Sequence, residues 1–156
     1  MITLIQDTRE PEPHPWEPYF TAPVIKGTLG TGDFSIRGCE HLIAVERKTL
    51  SDLIGCLCTG RDRFERELTR AQAIPHFWVI CEGSYQEILN GDYRSQMTPQ
   101  SAFQSIVALM TRYKIPFLMA GDAATAAKLC ESLLSKWLRE HEKIIDQVRK
   151  AQKMGA

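Results

Sequence analysis

Hydrophobic positions along the chain follow two different rhythms. Four short apolar runs come first, "ITLIQD" at 2–7, "APVIKGTL" at 22–29, "DFSIRG" at 33–38 and "HLIAVER" at 41–47, with a "GTG" turn at 30–32. Their length and bounding turn residues predict strands, and the last three read as a successive antiparallel meander. Between the first two lies "EPEPHPWEP" at 10–18, too rich in proline for regular structure and therefore a loop. From Thr49 the rhythm changes, because Leu50, Leu53, Ile54 and Leu57 recur at helical spacing. Thr49 or Ser51 can cap that helix, and Asp52 in its first turn suits the helix dipole. A second helix is predicted over "RDRFERELTRAQAI" at 61–74, a strand over "HFWVICEG" at 76–83, a helix over "TPQSAFQSIVALMTRYK" at 98–114 and a strand over "IPFLMAG" at 115–121. The chain closes on a long helical stretch from Asp122 that becomes highly charged towards its end.

Composition adds bounds to this pattern. A chain of 156 residues with 44% hydrophobic content suits one globular domain with a real core. No run approaches the roughly 20 apolar residues of a membrane span, and the N-terminus lacks the regions of a signal peptide, so the expected place of work is intracellular, away from membranes. The five cysteines and four histidines are dispersed without a CxxC pair, which favours reduced core thiols over a zinc site. Nineteen acids balance nineteen bases, so any polyanion must be held by a local patch rather than by overall charge. Trp78 falls in an apolar strand and is expected in the core; Trp16, in the proline-rich loop, is expected at the surface, free to pack on a partner or substrate.

The candidate chemistry lies around residue 46. Asp33 opens one predicted strand and Glu46 ends the next, so antiparallel pairing brings the two carboxylates close together, where they repel unless a divalent cation sits between them. An oxygen-rich, incompletely ligated site of this kind suits Mg²⁺ (or Mn²⁺), completed by water and phosphate oxygens. Strand alternation puts Lys48 on the same side as Glu46. Asp33, Glu46 and Lys48 together form the Asp...Glu-x-Lys constellation with which a metal acidifies water while a lysine stabilises the transition state. By spacing alone, a surface salt bridge explains the same letters.

The wider set of motifs is more specific. "DTRE" at 7–10, "GDF" at 32–34, "VERKTLSDL" at 45–53 and "GR" at 60–61 resemble, in order, the motifs of the XPF-type structure-specific nuclease family, within the PD-(D/E)xK restriction-endonuclease-like superfamily. The resemblance extends through "FWVICEG" and "RYKIPFLMAGDAATAAKLCESLL", from residue 2 to about residue 138. It implies an α/β fold of the three-layer restriction-endonuclease-like type, a central mixed sheet flanked by helices. It also implies a nuclease domain over 1–139 and a charged helical extension over 140–156, without the helix-hairpin-helix module of many family members.

Carried over by position, the resemblance makes Asp33 and Glu46 the principal metal ligands, with Asp7 as a further one, and Lys48 catalytic. Asp7 and Glu10 would line the same pocket, and Asp52 would hold Lys48 or Arg47 through a charge-assisted bond. Arg9, Arg47 and Arg61 would clamp phosphates near the cut. Arg63, Arg66 and Arg70 recur at helical spacing, so they either track a DNA backbone or pair with the interleaved Asp62, Glu65 and Glu67. The implied activity is Mg²⁺/Mn²⁺-dependent hydrolysis of flap, fork or branched DNA; the other class open to this fold is a non-catalytic DNA-binding or dimerisation module. A homodimer or heterodimer is implied as well, and Leu129, Leu133, Leu134, Trp137 and Leu138 on the closing helix are candidates for its apolar face.

Overall fold

A computed structural model describes residues 2–155. Six strands, β1 (Leu4–Asp7), β2 (Val24–Gly27), β3 (Phe34–Ile36), β4 (Ile43–Lys48), β5 (His76–Cys81) and β6 (Phe117–Met119), form one sheet in the order β2-β1-β3-β4-β5-β6. The sheet is mixed. β1 runs parallel to β2 and antiparallel to β3, β3 is antiparallel to β4, and β4, β5 and β6 are mutually parallel. Among the described residues five α-helices, α1 (Leu50–Leu57), α2 (Arg61–Ala71), α3 (Tyr85–Asn90), α4 (Pro99–Tyr113) and α5 (Ala123–Met154), and one 3-10 turn, Glu17–Tyr19, complete the fold. The expected central mixed sheet flanked by helices is therefore found.

Period-two alternation divides the sheet between two cores. Ala44, Phe77, Val79 and Cys81 face α1 to α4, burying Leu53, Leu57, Phe64, Leu68, Ile106 and Leu109 against them. Ile43, Val45 and Ile80 face the other way, onto Phe34, Trp16 and the first half of α5, where Ala126, Ala127, Cys130 and Leu134 are fully buried. This makes three layers. All five cysteines are free, and among the described residues no helix is long and apolar enough to cross a membrane.

Helix starts follow local chemistry. Thr49 caps α1 by accepting the Asp52 amide, Thr98 caps α4 through the Ser101 amide, and Asp122 caps α5 through the Thr125 amide. Helix α3 is absent from the sequence-based expectation although its signal is local. Ser84 and Glu87 form a reciprocal capping box, and Gly91 ends the helix with φ 73°.

Two expectations are corrected. The meander holds only for β3 and β4, because the proline-rich crossover carries the chain past β1 and lays β2 along its outer side, in parallel. Trp16 is not exposed at all: it is 0% accessible, stacked 5.3 Å from Phe34 at 13°, with its indole N–H donating to Glu82 Oε1 at 2.7 Å. The loop is amphipathic in three dimensions without any periodic pattern to reveal it. Trp78 is half-buried on the α5 side of the sheet.

Trp16→Ala is expected to cost about 3–5 kcal/mol, the range for emptying a buried aromatic site. Trp16→Phe keeps most of the packing but removes a donor from Glu82, and should cost about 1–2 kcal/mol. Urea denaturation of the two variants beside wild type measures both; a surface tryptophan would leave the midpoint unmoved.

Candidate active site

Asp33 is fastened from both sides of the sheet. Its amide donates to Val45 O at 2.8 Å and its carbonyl accepts the Asp7 amide at 2.8 Å, which ties β1, β3 and β4 together at one residue. Gly32 before it has φ +87°, and a Cβ there would lie 2.9 Å from Ala44 Cβ, so only glycine lets the chain approach β4 this closely. Phe34 points into the core shared with Trp16, and alternation turns Asp33 to the opposite face. Glu46 and Lys48, in step with Ala44, point to that same face.

The three side chains meet in a cleft of about 260 Å³ between the 30–32 turn and α2, whose walls include Arg9, Asp33, Glu46, Lys48, Arg63, Glu67 and Arg70. Lys48 Nζ donates to Glu46 Oε1 at 2.9 Å and lies 5.3 Å from the Phe64 ring centroid. Asp33 Oδ2 accepts the Arg47 backbone N–H at 2.7 Å. Burial, then repulsion from Glu46 and Glu10, pushes the Asp33 carboxyl up to about 9. Burial likewise raises Glu46, with Lys48 opposing it. For Lys48 burial alone would disfavour the charge, but Glu46, with Cys56 and Glu67, outweighs burial and holds the ammonium protonated beyond the usual lysine range. Burial thus disfavours the charged forms of Asp33 and Glu46 even though the cleft walls carry four cationic side chains, Arg9, Lys48, Arg63 and Arg70.

Of the expected residues, Asp33, Glu46, Lys48, Arg9, Arg63 and Arg70 come together. Arg9 reaches the cleft wall because Asp7 anchors it, accepting from its Nε at 2.7 Å and its Nη2 at 3.1 Å. Asp7 also accepts the amides of Arg9 and Leu29, so all four of its lone-pair positions are used. Burial would raise its pKa, but these donors hold it below the usual aspartate range. Asp7 is consequently a buried brace rather than a metal-facing wall residue. Glu10 also stands outside the cleft, accepting from His14 Nε2 at 2.7 Å and lying 3.6 Å from Arg47 Nη1.

Arg47 and Arg61 are placed otherwise than expected. Alternation sends the Arg47 guanidinium through to the opposite face, where its Nε donates to Glu82 Oε1 at 2.9 Å and its charge lies 5.8 Å from the Trp16 ring centroid. Arg61 pairs with Glu65 at 3.3 Å and donates to Ser105 Oγ at 3.0 Å, bracing α2 on α4. Arg66 is exposed and lies outside the cleft lining. The face of α2 that lines the cleft is Arg63, Glu67 and Arg70, at i, i+4 and i+7. Asp52 is exposed and holds neither Lys48 nor Arg47; it lies in an adjoining depression that shares Lys48, Arg63 and Glu67 with the cleft. Glu82, which meets both Arg47 and Trp16, lies far from them in sequence, while His14 comes from within the proline-rich loop; no local pattern announces either.

The donor set can be tested for a divalent cation. Among the described residues no three His, Cys, Asp or Glu side chains converge as a complete cage. Two desolvated carboxylates with raised proton affinity, open to a cleft, fit an ion that keeps most of its waters, as Mg²⁺ does. They do not fit an ion that needs a full protein cage.

The sequence model of the ERCC4 domain matches residues 7–133, a span that holds every motif residue from Asp7 to Arg61. Among solved structures, the chain is similar to XPF from Aeropyrum pernix, at 26% identity and a TM-score of 0.68, with 93% of this chain and 69% of that chain covered. XPF from Aeropyrum pernix in complex with DNA matches at 26% identity and a TM-score of 0.68, over 90% of this chain and 66% of that one. The chain spans about two thirds of the length of these structures. No curated protein matches its sequence. The resemblance read from the motifs is thereby borne out.

The crowded carboxylates have a measurable consequence. Between about pH 4 and about pH 9 the folded chain keeps a proton on Asp33 that the unfolded chain has released, so this group's contribution makes stability fall as pH rises through that window. Asp33→Asn is expected to stabilise the cation-free protein at pH 8 by at least about 1.4 kcal/mol, the energy of a tenfold change in proton affinity. The gain should shrink towards pH 4. Chemical denaturation across the pH series, in chelator, checks it; equal stability of the two proteins at pH 8 would mean that Asp33 is not strained by its neighbours.

Proposed function

Because the chain belongs to the ERCC4 domain family, we propose that it is a divalent-cation-dependent DNA endonuclease selective for flap, fork or branched DNA. One observation carries the reading: two facing carboxylates, Asp33 and Glu46, share a cleft with a permanently charged lysine and three arginines, Arg9, Arg63 and Arg70. That charge pattern suits a phosphodiester, with cationic walls for its non-bridging oxygens and an anionic floor for a metal. The DNA held by a similar structure supports the choice of polymer. A DNA substrate also places the work inside the cell, in cytoplasm or nucleoid.

Asp33 and Glu46 would hold the cation, which when bound would offset charge on the scissile phosphate and make a water more acidic. Lys48 has a separate task. Its ammonium stays protonated, so it is an electrostatic group and not the base that takes the proton from water. Lys48 places positive charge beside the attacking water or the phosphate, where charge builds in the transition state. Asp7 keeps the Arg9 fork in position before substrate arrives, which reduces the ordering left for the binding step. Arg63 and Arg70 on α2 receive the flanking phosphates.

Asp33→Ala and Glu46→Ala should each abolish cleavage of labelled flap, fork, nicked, four-way and linear DNAs in Mg²⁺ or Mn²⁺ while binding persists. Lys48→Ala should slow single-turnover cleavage about 10²-fold or more, roughly 2.7 kcal/mol of transition-state stabilisation. Wild-type protein that binds these DNAs and cuts none of them would identify a non-catalytic module instead.

Phosphate contacts separate by salt dependence. Arg63→Ala and Arg70→Ala should each weaken DNA binding and lower the slope of log K against log salt by about 1, whereas Arg66→Ala should leave the slope unchanged. Fluorescence anisotropy in a salt series measures all three.

A further inference from the structure

The apolar residues of the closing helix, expected to form a dimer face, serve the chain's own core: Leu134 is fully buried, and Leu129, Leu133, Trp137 and Leu138 pack beside it against the sheet. The solvent side of the same turns has a different character. Lys128, Ser132, Ser135 and Arg139 recur at i, i+4, i+7 and i+11, with Lys136 beside them, and so share one face over about 16 Å of helix. This face lines a depression of about 290 Å³ whose other wall is Tyr19 and Thr21, from the end of the proline-rich crossover. Tyr19 is 41% exposed there.

Two features set this depression apart from an ordinary solvated helix face. Its charge is one-sided. Lys128, Lys136 and Arg139 are exposed and, among the described residues, in no ion pair, whereas Lys143 and Arg149 further along α5 are paired with Glu140 and Asp146. Glu140, which also attracts Lys136 and Arg139, accepts from Lys143 Nζ at 2.7 Å, and Glu17 on the turn of Tyr19 lies outside the lining. The one carboxylate in the lining, Glu131, is committed to the loop, accepting the Thr21 amide at 2.8 Å, the Thr21 hydroxyl and the Ala22 amide at 3.2 Å. These contacts are the second feature. They seat the segment carrying Tyr19 on α5, so the ring is in place before any ligand arrives.

An exposed aromatic ring beside unpaired cations is the combination that holds single-stranded nucleic acid, whose base faces are free to stack while its phosphates need charge. A duplex keeps its base faces inside its own stack. The position in the fold suits an unpaired arm of a branched DNA. Lys48, Cys81 and Met119 are level in the sheet register, and α5 begins at Ala123, just after Met119. The first turns of α5 therefore stand at the sheet end that carries Lys48, on the layer opposite the cleft.

We propose that Tyr19 and the Lys128 to Arg139 face of α5 form a second nucleic-acid site, which takes an unpaired DNA strand by stacking a base on Tyr19 and pairing its phosphates with Lys128, Lys136 and Arg139. The choice of DNA rests on the nuclease reading, but the site shares no residue with the cleft.

Fluorescence anisotropy of the whole chain with labelled oligo-dT, oligo-U and a blunt DNA duplex, in chelator so that nothing is cut, tests it. Wild type should bind oligo-dT. Tyr19→Ala should weaken that binding about tenfold and Tyr19→Phe should retain it, with duplex binding unchanged in both. Lys136→Ala and Arg139→Ala should each lower the slope of log K against log salt on oligo-dT by about 0.7. All three positions are exposed, so thermal midpoints should match wild type. A wild type that does not bind oligo-dT overturns the proposal, as do a Tyr19→Ala variant that binds it normally and salt slopes unmoved by both cation changes. An equal loss on duplex and single strand overturns it too, since stacking needs an unpaired base, and tighter Tyr19-dependent binding of oligo-U overturns the assignment to DNA. A chain that cuts no DNA yet shows the Tyr19-dependent binding keeps this site and removes the nuclease reading.

Discussion

Alternation along β4 is the constraint on which the rest of this structure depends. Residues 43 to 48 run through the middle of the sheet, and each successive side chain must enter the opposite layer. Glu46 and Lys48 therefore share the α2 face with Asp33, while Arg47 between them is committed to the layer of Trp16 and α5. Cleft-facing and bracing side chains are interleaved one residue apart. A register slip of a single position would exchange them, placing Arg47 in the cleft and both Glu46 and Lys48 in the layer of Trp16 and α5.

Two networks keep that register. Behind the strand, Arg47 joins Glu82 of the β5 end, Glu10 and the Trp16 ring, and through Glu10 and Trp16 it reaches His14, so the proline-rich loop is locked onto the sheet. The Trp16 amide donates to His14 Nδ1, which leaves His14 Nε2 as the donor to Glu10. In front of the strand, the amide of the same Arg47 holds one Asp33 oxygen. One residue thus braces the loop with its side chain and aims a cleft carboxylate with its backbone. Breaking such a half-buried ion pair on one side leaves an uncompensated charge, a larger cost than the pair itself contributes in stability.

The cleft is the counterpart of this rigidity. Asp33 and Glu46 are held close by backbone hydrogen bonds they cannot escape, and their mutual repulsion is tolerated because the surrounding sheet over-determines their positions. On the proposed reading a bound cation would relieve that crowding, and its binding would be coupled to stability. Lys48 reduces the repulsion without cancelling it, and Arg9 is kept off the carboxylate pair by its three hydrogen bonds to Asp7 and a fourth to Leu29 O.

The sequence by itself determined whatever depends on neighbours along the chain. Strand and helix lengths, the Thr49 and Thr98 caps, the same-side placement of Glu46 and Lys48, and the ordered motifs that mark the family all rest on periods of two and 3.6 or on short fixed spacings. The Ser84/Glu87 box was legible in the same way. Only the tertiary structure decided where residues distant in sequence meet: the parallel seat of β2, the burial of Trp16 against Glu82 sixty-six positions away, the withdrawal of Asp7, Arg47 and Arg61 from the cleft, and the entry of Glu67 into it. Such pairings arise from the packing of whole layers. An isolated arginine or tryptophan carries the same letters whether it meets water, a phosphate or the far side of its own sheet, and local spacing cannot choose among them.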